Sequence, residues 1–214
     1  MEQDIAAIRK EYIQHVLLEE DAEKNAIDQF GKWWNQALDS KIDEVNAMTL
    51  STITGSGSPT ARIVLLKSFD ADGFVFFTNY NSHKGLEMAQ HPEACLLFFW
   101  KELERQVRIN GRIEKVSAAE SDEYFYSRPE GSRVGAHVSP QSRVIPNRAW
   151  LDDKEKELIE WYSDKPVPRP EHWGGYRVIP SAIEFWQGRP NRLHDRLLYS
   201  LQQNGAWQIN RLAP

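Results

Sequence analysis

The chain has 214 residues, one cysteine, and a formal net charge of -5 from 26 basic and 31 acidic side chains. This length fits one well-filled domain, residues 1–214, better than two, and the acidic balance with dispersed basic residues argues against nucleic acid as a partner. The lone Cys95 excludes an intrachain disulfide and suits a reducing compartment; with no apolar run of membrane-span length and no cleavable leader pattern, the expected location is cytoplasmic.

Residues 4–20 place Ile5, Ile8, Tyr12 and Val16 at helical spacing, and residues 26–39 do the same with Ile27, Phe30, Trp33, Trp34 and Leu38, which predicts a helical N-terminal segment. From Ala47 the period changes. Stretches 48–54, 61–69 and 74–79 are β-branched or aromatic, separated by Gly55-Ser56-Gly57-Ser58-Pro59 and Asp70-Ala71-Asp72-Gly73, and predict a meander of antiparallel hairpins. Ser82 opens a short helix through Gln90, closed by Pro92. The apolar run 94–100 predicts a strand with Cys95 as a buried structural thiol, followed by a strand pair around 105–116 and a helix capped by Ser117 that carries Tyr124 and Phe125. Residues 128–148 lack periodicity and predict a long loop of the kind that carries function. A helix near 151–162, a Pro-rich connector at 166–170 and three strands complete the chain, the last two strands joined through Asn204-Gly205. Short antiparallel strands interrupted by helices predict a mainly β fold with helices, a decorated barrel rather than a doubly wound sheet.

The glycine patterns of the Rossmann and P-loop cradles are both missing. Histidines 15, 83, 91, 137, 172 and 194 show neither HxxxH pairing nor nearby cysteine, so no metal site is expected. Anion recognition must then come from side chains. In Arg192-Leu193-His194-Asp195-Arg196 an extended backbone would put Arg192, His194 and Arg196 on one face, where they could hold an anion; a solvated edge strand has the same composition. Arg62-Ile63-Val64-Leu65-Leu66-Lys67 places cations five positions apart at the two ends of an apolar strand. Ser82-His83-Lys84 adds donors at a helix N-terminus. Each of these is also what an ordinary solvated surface shows.

Taken in order, Arg62 to Lys67, Phe77-Thr78-Asn79, Glu104-Arg105-Gln106-Val107, Ser127-Arg128-Pro129, Gln141-Ser142, His172-Trp173-Gly174-Gly175-Tyr176-Arg177, Glu184-Phe185-Trp186-Gln187-Gly188, Arg192 to Arg196 and Arg211-Leu212-Ala213-Pro214 closely resemble the pyridoxine (pyridoxamine) 5'-phosphate oxidase family. The resemblance runs from about Arg9 onward. It implies an FMN-binding split β-barrel, a homodimer with FMN at the interface, and oxidation of pyridoxine 5'-phosphate and pyridoxamine 5'-phosphate by O2. By the same resemblance FMN is bound by Arg62, Ile63, Val64, Leu65, Leu66, Lys67, Phe77, Thr78, His83, Lys84, Gln106, Gln141, Ser142, Trp186 and Arg196. The substrate phosphate falls to Lys67, Tyr124, Arg128 and Ser132. Arg192, Leu193 and His194 meet the pyridine ring, with Arg192 and His194 as the catalytic pair, and Arg9, Lys10, Glu11 and Tyr12 match a segment that closes over it.

Three positions depart from the family pattern. His83 stands where arginine is common, and Lys10 and Glu44 stand where arginine and aspartate are expected. The alternative reading is a split-barrel flavin-binding protein that serves as a sensor, carrier or reductase without this oxidase activity. Such a protein has no need of Tyr124, Arg128, Ser132, Arg192 and His194 together.

Overall fold

The computed structural model describes Ile5 and residues 10–214; Arg9, and positions 4 and 6–8 of the predicted helix, lie outside the described residues. The strands are β1 (Ala47–Ile53), β2 (Pro59–Leu65), β3 (Ser68–Asp70), β4 (Gly73–Asn79), β5 (Glu93–Trp100), β6 (Arg105–Lys115), β7 (Trp173–Gln187), β8 (Asp195–Leu201) and β9 (Trp207–Arg211). The helices are α1 (Ala26–Asp39), α2 (His83–Gln90), α3 (Ala118–Ser127), α4 (Glu130–Val138) and α5 (Arg148–Trp161). Strand order is β2-β1-β5-β6-β7-β4-β3, with β8 on β7 and β9 on β8. The fold is mainly β with helices, as the run pattern predicted. The chain forms two compact units, one of Met1–Thr49, Cys95–Gly111 and Pro180–Pro214, the other of Leu50–Ala94 and Arg112–Ile179.

In the first unit, Asn25 caps α1 by accepting from the Ile27 N–H at 2.8 Å. The buried face of the helix carries Ala26, Phe30, Trp33 and Ala37. Phe30 meets Phe98 at 5.3 Å between ring centroids, and Trp33 meets Phe185 edge-on at 5.2 Å. Truncating either buried ring to alanine would cost about 3–5 kcal/mol. The predicted helix over 4–20 is corrected here. Residues 10–18 are not helical, and Glu19–Asp21 form a 3-10 turn. The reason is competition for backbone donors. The N–H groups of Ile13 and Gln14 donate to Glu104 Oε2 at 2.9 and 3.2 Å, and that of Leu17 donates to Asp195 Oδ2 at 3.1 Å, so they are not free to close helical turns.

In the second unit, β4 pairs antiparallel with the first half of β7, from Phe74↔Val178 to Asn79↔Trp173. The Asp70 carboxylate accepts from the N–H groups of Asp72 and Gly73 at the β3–β4 turn. Ser82 and Ser117 cap α2 and α3 as predicted, accepting from Gly85 N–H and Glu120 N–H. The predicted run 61–69 is broken between β2 and β3. The hairpins β1–β2 and β3–β4 stand at opposite ends of the strand order, so they do not form a continuous meander. Within the predicted loop 128–148 lies α4. Gly131 and Gly135 weaken its intrinsic propensity, yet Val134 is buried against Phe125, Val167 and Trp173, and that packing carries the helix.

The predicted strand pair at 105–116 is one strand, β6, whose side chains alternate between buried and more exposed positions. Asn110-Gly111 ordinarily marks a hairpin turn, but here neighbours on both sides, β5 and β7, keep the chain straight. The Asn204-Gly205 turn between β8 and β9 forms as expected, with Gly205 at φ 81°.

Gly73 has φ 134°, and a Cβ there would stand 2.2 Å from the Val178 carbonyl oxygen. Gly57 also has positive φ, 85°, but open space around it. Gly57→Ala is therefore expected to lose about 1 kcal/mol of unfolding free energy and Gly73→Ala more than about 2 kcal/mol, read as the shift in urea midpoint at unchanged slope.

Candidate active site

Two groups of predicted site residues are assembled, one in each unit. In the second unit a cavity of about 330 Å³ is lined by Phe77, Thr78, Asn79, Arg128, Ser132, Ser139, Gln141 and Trp173, among others. Lys84, in the first turn of α2, is buried beside it. Its Nζ donates to Thr78 Oγ1 at 3.1 Å, Ser82 Oγ at 3.2 Å and Gln141 Oε1 at 3.3 Å. These partners are all neutral oxygens. Burial first, and the nearby Arg62 second, push the Lys84 pKa down to about 8.

Arg62, on β2, has its charge matched. Its Nη2 meets Glu87 Oε2 at 3.0 Å, and Thr52 and Thr60 hydroxyls donate to the same oxygen. Burial acts to raise the Glu87 carboxyl, but these donors outweigh it and hold the pKa below the usual range. His83 precedes Lys84 on an exposed face, and Ser142, at φ 70°, follows Gln141. Ile63, Val64 and Leu65 lie on β2, with Leu66 buried just beyond it.

The residues expected around a substrate phosphate converge on one aromatic stack. Tyr124 stacks on Phe77 at 4.1 Å, and Phe77 on Trp173 at 5.6 Å. The Lys67 ammonium is 5.7 Å from the Tyr124 ring, and the Arg128 guanidinium lies 4.7 Å over Trp173. Arg128 Nη1 is buried and has no hydrogen-bond partner, and burial lowers the pKa of the group. A buried charged donor left unmatched is costly. An anion entering the cavity would satisfy it.

In the first unit a cavity of about 950 Å³ is lined by Lys10, Glu11, Tyr12, Arg189, Asn191, Arg192 and His194. The predicted extended face over 192–196 is corrected. Pro190–Arg192 form a tight turn, with Asn191 and Arg192 at φ 56° and 62°, and β8 starts only at Asp195. Arg196 is drawn away into an ion pair, its Nε donating to Glu184 Oε1 at 2.8 Å and its Nη1 to the Ala213 carbonyl at 2.8 Å. Leu193 is exposed. Arg192 and His194 remain together at the cavity. The His194 ring packs 4.5 Å from Trp186 and 5.9 Å from Tyr12. Its Nδ1 accepts from the Arg189 N–H at 3.1 Å, which assigns the proton of the neutral ring to Nε2. Burial first, then Arg192, lower its pKa against the opposing Asp195, so the neutral form dominates at pH 7. Gln106, on β6, lines neither cavity.

Sequence reasoning gave no role to Trp173, on which Arg128 lies, to Glu184, which holds Arg196, or to Arg189, which orients His194. Trp173 and Glu184 stand inside recognised motifs, so a signal was present. Arg189 had none, because it acts through a backbone N–H.

Residues 35–162 match the family model described as pyridoxamine 5'-phosphate oxidase, and residues 173–214 match the pyridoxine 5'-phosphate oxidase C-terminal dimerisation region. A pyridoxine/pyridoxamine 5'-phosphate oxidase of Trichormus variabilis is 56% identical over 214 residues, covering 100% of both chains. One of Burkholderia orbicola is 57% identical over 212 residues, covering 98% of this chain and 99% of that one. The chain belongs to the pyridoxamine 5'-phosphate oxidase family. Among solved structures, PhzG of Burkholderia lata 383, in complex with tetrahydrophenazine-1-carboxylic acid, aligns at TM-score 0.87 with 29% identity over 93% of this chain and 98% of that one. A pyridoxamine 5'-phosphate oxidase-related, FMN-binding protein from Nostoc punctiforme aligns at TM-score 0.69 with 16% identity over 86% and 96%. The fold is the split β-barrel of this family, as the resemblance implied. Among the described residues no helix is long and apolar enough to cross a membrane.

The Lys84 pKa has a consequence for stability. Depressed from 10.5 to about 8, it makes the folded state bind fewer protons than the unfolded state between those values, so this group's contribution to stability rises with pH across that window. Lys84→Met should remove the contribution, and the difference in unfolding free energy between the ligand-free protein and the variant should change in that direction from pH 7.5 to 10.

Proposed function

We propose that this chain catalyses the FMN-dependent oxidation of pyridoxine 5'-phosphate and pyridoxamine 5'-phosphate to pyridoxal 5'-phosphate, as a cytoplasmic homodimer with FMN at the subunit interface and as one functional domain. The alcohol and O2 give aldehyde and H2O2; the amine, O2 and water give aldehyde, ammonia and H2O2. The observation that carries this reading is Arg128, whose buried, unpartnered Nη1 adjoins a cavity also lined by Ser132 and lies on the stack that Lys67 approaches. That donor set fits a phosphate.

The residues also fit FMN. Lys84 is a buried cation hydrogen-bonded only to neutral oxygens, which suits the phosphate of the cofactor, with Arg62 and His83 beside it on β2 and α2. Ile63, Val64, Leu65, Leu66, Lys67, Phe77, Thr78, Gln106, Gln141, Ser142, Trp186 and Arg196 are assigned to the same cofactor. When bound, FMN supplies the two-electron acceptor for the substrate carbon and the route to dioxygen.

The remaining work is positioning. Lys67, Tyr124, Arg128 and Ser132 grip a phosphate remote from the reacting carbon, so binding energy is used for orientation. His194 Nε2–H is the donor available to the ring hydroxyl oxygen, and Arg192 offers a planar cation to the ring face. Lys10, Glu11 and Tyr12 cover the ring.

The alternative, a split-barrel flavin-binding protein lacking this activity, is favoured by the likeness to PhzG, whose bound ligand is an unphosphorylated ring acid. The Arg128 cluster distinguishes them. Anaerobic addition of pyridoxamine 5'-phosphate to the holoprotein should bleach the flavin absorption; a spectrum left unchanged at saturating substrate would favour the alternative.

In single-turnover bleaching, Arg192→Ala and His194→Ala should keep FMN bound but slow the reaction at saturating substrate. Arg128→Ala should chiefly raise the half-saturating concentration, by about tenfold or more. Unaltered rates in both ring-side variants would refute their roles.

Fluorescence-quenching titrations should show FMN bound at least about tenfold more tightly than riboflavin at pH 7. The phosphate dianion favours protonated Lys84, so the complex holds more protons than the free protein, and FMN affinity should fall as pH rises through about 8. The riboflavin titration should lack this fall.

A further inference from the structure

Glu104 connects β6 to the segment before α1 without belonging to either predicted site. It stands at φ 55°, an unusual conformation for a residue with a side chain. The surroundings hold it there. Its carbonyl accepts from the Gly188 N–H at 2.8 Å and from Gln187 Nε2 at 3.2 Å. Only 1% of its side chain is exposed, and both carboxylate oxygens are committed to one short stretch of chain: Oε2 accepts from the N–H groups of Ile13 and Gln14, and Oε1 lies 3.4 Å from Lys10 Nζ.

Between these anchors is Tyr12. Its ring stands edge-on to Trp186 at 5.8 Å and beside His194 at 5.9 Å. Gly188 leaves the room it needs, since a Cβ there would come within 2.7 Å of the Tyr12 ring. A side chain held on one side by a backbone pinned at the next two residues has little freedom to leave His194. Charge-assisted bonds from backbone N–H to a buried carboxylate are of the stronger kind.

We propose that Glu104 is a positioning residue for the oxidation: through Lys10, Ile13 and Gln14 it fixes the strap of residues 10–14 and so keeps Tyr12 against His194. The effect on turnover rests on the oxidase reading above, whereas the effect on the strap does not.

The test uses Glu104→Ala and Glu104→Gln in the FMN-loaded protein. Trypsin cleavage after Lys10, followed by mass spectrometry well below the unfolding temperature, reports the strap directly. It should accelerate about tenfold in Glu104→Ala, with cleavage elsewhere unchanged. In steady state KM for pyridoxamine 5'-phosphate should rise about tenfold while kcat falls less. Glu104→Gln, which keeps an acceptor for Ile13 and Gln14 but no charge for Lys10, should fall between and carries the test should the alanine variant not fold. In a Tyr12→Ala background, Glu104→Ala should add less than about twofold, because its effect passes through Tyr12.

Unchanged cleavage after Lys10 overturns the latch. Accelerated cleavage with unchanged KM, or a full additional effect in the Tyr12→Ala background, leaves Glu104 a purely structural anchor and overturns the positioning role. Failure of the unaltered holoprotein to oxidise pyridoxamine 5'-phosphate would instead reject the oxidase reading, with the cleavage result still judging the latch.

Discussion

A cation held in a protein interior without a matching anion destabilises the fold that contains it, and the unit built around β4, α2 and α4 keeps two beside one cavity, in addition to Arg133 of α4, whose Nε is buried without a hydrogen-bond partner. Lys84 has only neutral oxygens as hydrogen-bond partners, and Arg128 has a buried nitrogen with none. The same unit matches other cations with care. Arg62 has Glu87, Arg169 has Asp122 and Arg177 has Asp70. The incompletely matched pair flanks one cavity, where Thr78 and Gln141 bond to Lys84 and Trp173 lies under Arg128. The cost of both groups falls on the empty protein and is relieved by an anion. Stability without ligand and affinity for ligand are therefore set against each other at the same atoms.

Much of this fold is legible in the sequence wherever local pattern and tertiary packing agree. The Ser82 and Ser117 caps, the buried face of α1 and the Asn204-Gly205 turn are local chemistry, and each forms as its residues predict. The failures share a cause. Residues 10–18 have helical spacing, but their N–H groups are taken by Glu104 and Asp195, partners 90 and more positions away. The α4 helix has poor propensity, but Val134 docks on Phe125 and Trp173. Neither outcome can be read from a window of neighbouring residues.

The candidate site divides in the same way. Residue type is enough to nominate Arg62, Lys84, Arg128, Arg196 and His194, because few side chains can recognise a phosphate or exchange a proton near neutrality. Whether a nominated charge is available depends on distant partners. Glu87 occupies Arg62, and Glu184, itself clamped by Arg108, occupies Arg196. Pairing with a carboxylate does not remove a guanidinium from a binding role, but an incoming anion must then share it. Lys84 and Arg128 have no such competitor among their hydrogen-bond partners, so an anion that reached them would not have to share them with a carboxylate.

The ring-side group follows a different logic, since the orientation of His194 is set before any ligand arrives. His194 spends Nδ1 on the Arg189 N–H, leaving one donor with a defined direction. Arg189 in turn reaches Asp195, which also meets Arg211 and the Leu17 N–H. Asn191 and Arg192 are held at positive φ in the turn between these anchors, a conformation that such surroundings must sustain. Groups fixed in this way need little reorganisation when charge shifts on a bound ring. An unmatched cation draws its ligand in by relieving a cost already present, whereas a satisfied network contributes direction.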